Sequence, residues 1–364
     1  MSKKKKILFI ACMPYYKEKG STLRTHATLQ NLSQNYTIDA LVYAHGEKIS
    51  IPDVQIHRTP FWYMPKLAIS KPTVSKVILD FFVLIKSFKL LLTNSYTHIH
   101  AEDFEAATIG YILSKIFHKP FVYNLHNRIV DNWSISGKKP PKIISWIEKV
   151  VIKNSKFIIL NWDIYKQDSA FDNKKFFLHY DSVTLASQKA SMNLPKNYLF
   201  YAGNFEKYQG IELFLEAYSD SQCDIPLLLA GSATEDITNK INKMNLQEKV
   251  KLLGRCNVEE TNTLIKNSTY CILPRIAGKQ PSMKLIHYLS WEKPIIANDI
   301  ICNHEILKKY NNIGIFYENK KDLVNILNNI STYTINKKNL YQAAQYIQNN
   351  SDPNTFIKNY KSLL

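Results

Sequence analysis

Acidic residues are in short supply. The 364-residue sequence holds 30 Asp and Glu against 47 Lys and Arg, a formal net charge of +17. Such an excess favours acidic partners: nucleic acid, anionic lipid or a phosphorylated ligand. Zinc-finger spacing and aromatic-glycine RNA-binding motifs are both absent. Apart from Lys3–Lys6, the lysines are spread along the whole chain, the habit of a solvated surface more than of a nucleic-acid track. No nucleic-acid partner is expected, and anionic lipid together with a phosphorylated small molecule accounts better for the charge.

Cysteine is sparse and unpatterned. Cys12, Cys223, Cys256, Cys271 and Cys302 are odd in number and no pair has C-x-x-C spacing, so they read as reduced core thiols in a reducing compartment. All but Cys223 and Cys302 lie in apolar, strand-like surroundings. Long apolar runs are missing too. The best candidate span, Val77–Leu92, is interrupted by Asp80, Lys86 and Lys89 and falls short of the roughly 18 clean residues a membrane helix needs. Lys3–Lys6 followed by Ile7–Met13 mimics a signal peptide, but the apolar run is too short and reads as a first buried strand. A cytoplasmic protein is expected.

What is present is apolar mass, 45% of the residues, in a chain too long for one ordinary core. The first half alternates apolar strand-like runs (Ile7–Cys12, Thr37–Tyr43, His98–Ala101, Pro120–Leu125, Lys156–Leu160) with helical segments near Lys76–Leu92, Glu105–Phe117 and Lys142–Lys153. A loop over Pro14–Ser21 leads into a further helix ending near Gln34. The second half restarts the pattern at Tyr198–Tyr201 and runs to Gly314–Phe316. Strand and helix in alternation mark doubly wound parallel sheets. We expect an N-terminal domain over 1–190, a polar hinge near Ser187–Lys196, a second domain over 197–340 and a C-terminal helix over 341–364, broken at Asp352–Pro353. In such folds ligands sit outside the carboxyl ends of the strands, so a cleft between the two domains is the expected site.

Motifs in the second half carry a resemblance. Tyr201–Tyr218, YAGNFEKYQGIELFLEAY, resembles the strand–loop–helix of family 4 of the retaining glycosyltransferases. Val250–Gly254, Val258–Lys266 and Cys271–Pro274 keep that family's order, and Pro274–Asp299, PRIAGKQPSMKLIHYLSWEKPIIAND, resembles its donor-binding loop, helix and following strand. Ile7–Pro14, Lys19–Thr25 and His98–Asn127 match more loosely, and the final helix resembles the element that crosses back to the first lobe. The resemblance implies a GT-B fold, two Rossmann-like domains facing a central cleft. It also implies transfer of a sugar from a nucleoside diphosphate sugar, with retention and without a bound metal.

Such a transfer must stabilise a departing diphosphate, which backbone amides at a helix start and basic side chains can do. Pro281–Ser282 opens the helix Met283–Trp291 with Ser282 as a candidate N-cap. The amides of Ser282, Met283 and Lys284 would then point at the diphosphate, with Arg275, Lys279 and Lys284 around it. The plainer reading is surface charge beside a capped helix. By resemblance, the loop Gly203–Gly210 grips phosphate, but its expected arginine and lysine are Asn204 and Gln209, with Lys207 restoring one charge. The family's two glutamates, for donor sugar and ribose, fall on Lys279 and His287. Tyr208–Gly210 and Arg275 resemble a branch with a tyrosine-glutamine-glycine loop and an arginine after the strand proline. His287 is then either a ribose donor or an ordinary helix histidine.

In the first half, Gly20–Ser21 resembles a glycine turn that lets backbone approach the β-phosphate. His126, following the strand Pro120–Leu125, resembles a histidine beside the donor sugar; its plainer role is capping or packing. Arg275 and His126 are the catalytic candidates. His100, Glu102 and Asp103 are expected to face the acceptor. No protein nucleophile is assigned, because the leaving phosphate is thought to take the acceptor proton in this family. A dense His/Glu/Asp constellation, as a GT-B epimerase would need, is not visible. Lys76–Leu92 is apolar around most of its circumference, and its basic neighbours with Trp62, Tyr63 and Met64 suit an anionic membrane surface as well as a core. The expected acceptor is accordingly a cell-envelope, capsular or lipid-linked glycan at the inner membrane face. The alternative, supported by the missing acidic pair, is a catalytically weak GT-B subunit that binds a partner transferase.

Overall fold

A computed structural model describes residues 4–16, 20–65, 73–135, 139–180, 192–232, 235–278 and 281–364. The chain divides into two units, residues 1–182 with 350–364, and residues 183–349. Of the expected hinge 187–196, only residues 192–196 fall among the described ones.

The first unit alternates β1 (Lys5–Pro14), α1 (Gly20–Ser33), β2 (Tyr36–Tyr43), β3 (Val54–Arg58), α2 (Val74–Thr93), β4 (Ile99–Glu102), α3 (Asp103–Phe117) and β5 (Phe121–Leu125). It continues through α4 (Ile129–Ile135), α5 (Lys142–Asn154), β6 (Ile158–Leu160) and β7 (Phe176–Leu178). Its strands pair in parallel in the order β3-β2-β1-β4-β5-β6-β7. Ile7–Ala11 of β1 has no measurable exposure, as a central strand covered on both faces requires. The edge strand β3 interleaves Gln55, His57 and Arg58 with apolar residues, and β7 is three residues long; both escape a search for apolar runs.

The second unit contains β8 (Leu199–Ala202), α6 (Ile211–Asp220), β9 (Leu227–Ala230), α7 (Glu235–Lys243), β10 (Val250–Gly254), α8 (Val258–Asn267) and β11 (Tyr270–Leu273). It closes with α9 (Met283–Ser290), β12 (Ile295–Asn298), α10 (Ile301–His304), β13 (Gly314–Tyr317), α11 (Lys320–Asn328) and α12 (Lys337–Ser351). Its parallel strand order is β10-β9-β8-β11-β12-β13. Cys256 departs from expectation: it is half-buried in the segment between β10 and α8.

Both sheets reverse their winding direction once, between β1 and β4 in the first unit and between β8 and β11 in the second. Ligands of doubly wound folds bind at the carboxyl ends of strands at this switch point. The loops that leave those ends carry Gly20, Ser21, Glu102 and Asp103 in one unit, and Gly203–Gln209 and Arg275–Ser282 in the other.

The last helix, α13 (Pro353–Leu363), belongs to the first unit. Asp352 caps it, accepting from the Thr355 amide at 2.7 Å, and Pro353 fills the first turn, where its missing N–H is harmless. Phe356, Ile357 and Tyr360 are buried in the core built on β1 and β2. Helix α2 turns Leu79, Val83, Ser87 and Leu91 inward, yet leaves much of its apolar circumference exposed. Among the described residues no helix is long and apolar enough to cross a membrane.

Candidate functional site

In the second unit the loop after β8 and the loop after β11 are laced together. The Ile276 amide donates to the Tyr208 carbonyl at 3.0 Å. Gly210 has φ +70°, and a β-carbon there would lie 2.0 Å from the Pro274 carbonyl oxygen, so glycine is required both for the turn and for the close approach. Gly278, at φ +106°, leaves room for the Arg275 guanidinium: a β-carbon would sit 2.3 Å from its Nη2. Arg275 is 7% exposed, donates from Nε to the Ala277 carbonyl at 2.7 Å and lies over the Tyr208 ring.

Helix α9 starts below these loops. Ser282 caps it, its hydroxyl accepting from the Lys284 amide at 3.2 Å. The half-buried Lys284 side chain reaches Gln209 Oε1 at 3.0 Å and the Tyr201 hydroxyl at 3.4 Å, with its ammonium 4.8 Å from the centre of the Tyr201 ring. It also passes over Gly203, where a β-carbon would be 2.7 Å from Nζ. Burial first, and the Arg275 charge second, push the Lys284 pKa down to about 7. Gln209, Gly203, Ser282, Lys284 and Arg275 therefore share one cationic corner at a helix N-terminus. That arrangement suits an anion, since both cations and the first amides of α9 present donors to it, except the expected Lys284 amide, which the Ser282 hydroxyl takes.

Other expected residues lie differently. Asn204 and Lys207 are exposed, and Asn204 Oδ1 accepts from the Glu206 amide at 3.3 Å in a local turn. Met283 is half-buried in the first turn of α9. His287 Nε2 is 2.6 Å from Oδ1 of the buried Asn262, which also accepts from Trp291, and burial lowers the His287 pKa to about 4. Lys279 lies outside the described residues.

In the first unit Gly20 opens α1 and Ser21 follows it, exposed. His126 is 1% exposed after β5. Its Nε2 is 2.6 Å from Glu102 Oε2 and its Nδ1 3.5 Å from Asp103 Oδ2. Burial alone would lower its pKa; the Asp103 and Glu102 carboxylates outweigh that and raise it to about 9. Glu102 is likewise pushed up by burial, but His126 and His100 hold it down at about 2. Asp103, whose backbone sits at φ 64° where β4 passes into α3, brings its carboxylate to this pair.

Behind Glu102 the polar chain continues into the interior. Its Oε1 accepts from Asn124 at 3.1 Å and meets His100 Nε2 at 2.9 Å; His100 Nδ1 meets the Tyr360 hydroxyl at 3.0 Å, and that hydroxyl meets His98 Nε2 at 2.9 Å. His100, Glu102 and Tyr360 are fully buried. The expectation that His100 and Glu102 face an acceptor is therefore corrected: both point inward, engaged by Tyr360 and His126. The dense His/Glu/Asp constellation that the sequence does not reveal is assembled here by folding.

Residues 183–349 match the family described as glycosyl transferases group 1. Over the whole chain the fold is similar to sucrose-phosphate synthase from Thermosynechococcus elongatus, with TM-score 0.77, 15% identity and 99% of each chain covered. It is also similar to HepE of Anabaena in complex with UDP, with TM-score 0.72, 17% identity, and 99% of this chain and 100% of that one covered. A third similar structure is the lipopolysaccharide outer core galactosyltransferase WaaB, with TM-score 0.67, 14% identity, and 99% and 100% covered. The chain has the GT-B fold. No curated protein matches it in sequence.

On this GT-B frame the sequence reading missed several residues that shape the two clusters. Tyr201 forms an aromatic floor under Lys284, as Tyr208 of the tyrosine-glutamine-glycine loop, already singled out, does under Arg275. Gly231, at φ +145°, lets β9 pass within reach of the Gly203 carbonyl, 1.9 Å from where its β-carbon would be. Asn262, which takes His287, gives no local signal, and Tyr360 lies 260 residues from His100. Tyr208 and the glycines left a mark in the sequence, the glycines as isolated residues after apolar strands.

Proposed function

We propose that this chain is a glycosyltransferase that moves a sugar from a nucleoside diphosphate sugar to a growing cell-envelope, capsular or lipid-linked glycan, with retention of anomeric configuration. The supporting observation is the position of Lys284. Its ammonium is drawn out of water beside Arg275, bonded to the neutral groups Gln209 and Tyr201, at the N-terminus of α9. Gathering cations this way costs stability unless an anion is to be bound. A departing diphosphate is such an anion: Arg275, Lys284 and the first amides of α9 supply its charge compensation, without a metal in that role. HepE, similar in fold, has been captured with UDP and with UDP-glucose, which makes uridine diphosphate sugars the first donors to test.

In this reading the transfer takes place at the cytoplasmic face of the membrane, with the leaving phosphate accepting the acceptor proton. His126, kept cationic by Glu102 and Asp103, has both ring nitrogens committed to those carboxylates and is assigned no role as a base. A second reading is favoured by one observation: His287, in place of a ribose-binding glutamate, is already taken by Asn262. It describes a catalytically weak subunit that stabilises a partner transferase. Calorimetry against a panel of nucleoside diphosphate sugars, followed by assays of hydrolysis and transfer, separates the two. Donor binding with turnover supports the transferase; no binding to any donor, with a transferase co-purifying, supports the subunit.

A further inference from the structure

On the first unit, between the edge strand β3 and helix α2, lies an open cavity of about 880 Å³. Its walls are apolar, with Val54 and Ile56 on the strand side and Phe82 and Ile85 on the helix. Its charged lining is basic throughout: Lys48, Lys86, Lys89, Arg58 and His57, with no Asp or Glu among the described lining residues. Two of these groups have structural work inside the unit. Arg58 donates to the carbonyls of Tyr15, Tyr43, His45 and Glu47, and His57 lies 3.3 Å from the buried Asp39. The lysines are different. Lys86 Nζ donates to the Arg58 carbonyl at 2.8 Å, one acceptor for three N–H groups, while Lys48 and Lys89 are exposed.

The mouth of the cavity continues into an apolar face. Along α2, Val74, Val77, Phe81, Ile85, Phe88 and Leu92 are all exposed, at intervals of three and four residues. They make one stripe about 27 Å long. Trp62, 78% exposed, stands beside it, packed edge-on against Phe82 at 5.5 Å. Ile85 belongs to both cavity and stripe. The helix's one acidic residue, Asp80, is turned inward to the Tyr43 hydroxyl at 2.5 Å, and Lys76 faces Glu105 at 3.9 Å. The uncompensated charge flanking the stripe is thus positive.

A continuous apolar stripe of this length is more than scattered surface hydrophobics. An apolar helix face bordered by lysine and tryptophan is the composition that lies in a lipid interface. We propose that α2 and Trp62 lie on an anionic bilayer, and that the β3–α2 cavity seats the phosphate headgroup of one anionic phospholipid. Lys86, Lys48 and Lys89 hold the phosphate, and the acyl chains leave along Phe82 and Ile85 into the bilayer. The lipid site rests on the proposed location at the membrane face but uses none of the residues of the donor corner, so its failure leaves the donor reading untouched.

The test is flotation of the full chain with phosphatidylcholine vesicles, with and without phosphatidylglycerol, at low and physiological salt. Binding is expected only with phosphatidylglycerol and is expected to weaken with salt. Each Lys→Gln change among Lys48, Lys86 and Lys89 should lower the vesicle affinity about fivefold. Phe81→Ser and Trp62→Ala should lower it with the circular dichroism melting curve unchanged, while UDP-sugar binding by calorimetry stays as in the wild type. Equal binding to both vesicle types, or no loss in the lysine variants, overturns the proposal. So does binding of inorganic phosphate or glycerol phosphate as tight as binding to the vesicles, which would make the cavity a soluble-anion site. Vesicle-independent dimerisation that Phe81→Ser abolishes would assign the stripe to a second copy of the chain and overturn it as well.

Discussion

Replacing Glu102 by Gln isolates the charge at the centre of the first unit. Glutamine keeps the shape and can still accept from Asn124, so the change removes the carboxylate's charge and the acceptor oxygen that faces His126. The raised His126 pKa, about 9 against the ordinary 6.5, corresponds to about 3 kcal/mol of preference for the charged ring. Breaking a buried pair by removing one partner typically costs about 3–5 kcal/mol, because the remaining group is left uncompensated. Asp103, 3.5 Å from the other ring nitrogen, stays in place and keeps part of the effect. We expect Glu102→Gln to destabilise the first unit by about 2–3 kcal/mol near pH 6, from the same two considerations.

The loss should vary with pH in a defined direction. His126 has a raised pKa, so its stabilising contribution is complete below 6.5 and disappears as pH rises through about 9. Glu102 has a depressed pKa, so its contribution is complete above 4.5 and disappears as pH falls through about 2. The gap between wild type and variant is therefore widest between about pH 4.5 and 6.5, and closes towards pH 9 and above. The groups facing His126 are Glu102, Asp103 and, as a repelling charge, Arg24; those behind Glu102 are His100, Asn124 and Tyr360. Urea unfolding followed by tryptophan fluorescence reads this unit, since four of the five tryptophans (Trp62, Trp133, Trp146, Trp162) belong to it and only Trp291 does not. A gap that is the same at pH 6 and pH 9.5 would show that His126 does not carry the proton, and the electrostatic account would fail.

Three further outcomes are expected. Arg275→Ala should weaken nucleoside diphosphate sugar binding by about 1.5–3 kcal/mol, as loss of a charge-assisted hydrogen bond does; unchanged calorimetric affinity would remove Arg275 from the site. Because the free Lys284 pKa sits near 7, a bound diphosphate should draw a proton onto it, so donor affinity should fall as pH rises from 6 to 8.5. Calorimetry in buffers of different ionisation enthalpy should show proton uptake near pH 7.5, and Lys284→Met should abolish it. Gly210→Ala should destabilise the second unit by more than about 2 kcal/mol, from the left-handed backbone and the clash with the Pro274 carbonyl together; differential scanning calorimetry with no change in that transition would contradict the geometry.

The sequence was most legible where local pattern and tertiary burial agree. β1, α5 and the break before α13 lie within two residues of where apolar runs and Asp352–Pro353 put them. Ser282 as a cap was legible because its partner amide is two residues away. Legibility ended where partners are distant or polar. β3 is held by pairing with β2 and by Asp39, which takes His57 at 3.3 Å and Lys6 at 2.7 Å, and no apolar run announces it. His287 looked equally like a ribose donor and a helix histidine until Asn262, 25 residues away, proved to hold it. The inward turn of His100 and Glu102 depends on Tyr360, whose presence beside them no spacing rule predicts.

Tyr360 also sets an order of events during synthesis. The chain leaves the first unit at residue 182 and re-enters it at 350, and the two crossings are joined by a hydrogen bond from the Tyr180 amide to the Asn350 carbonyl at 2.9 Å. The whole second unit is thus threaded as an insertion. While the ribosome is still adding residues 183–349, the first sheet has all its strands but lacks Phe356, Ile357 and Tyr360, and the ring nitrogens of His98 and His100 lack their shared hydroxyl. The core on β1 and β2 lacks its α13 side chains through that interval, whereas the second unit's chain is complete once α12 is made. The domain that comes second in the sequence is the one whose chain is complete first, and the first unit is completed only by α13.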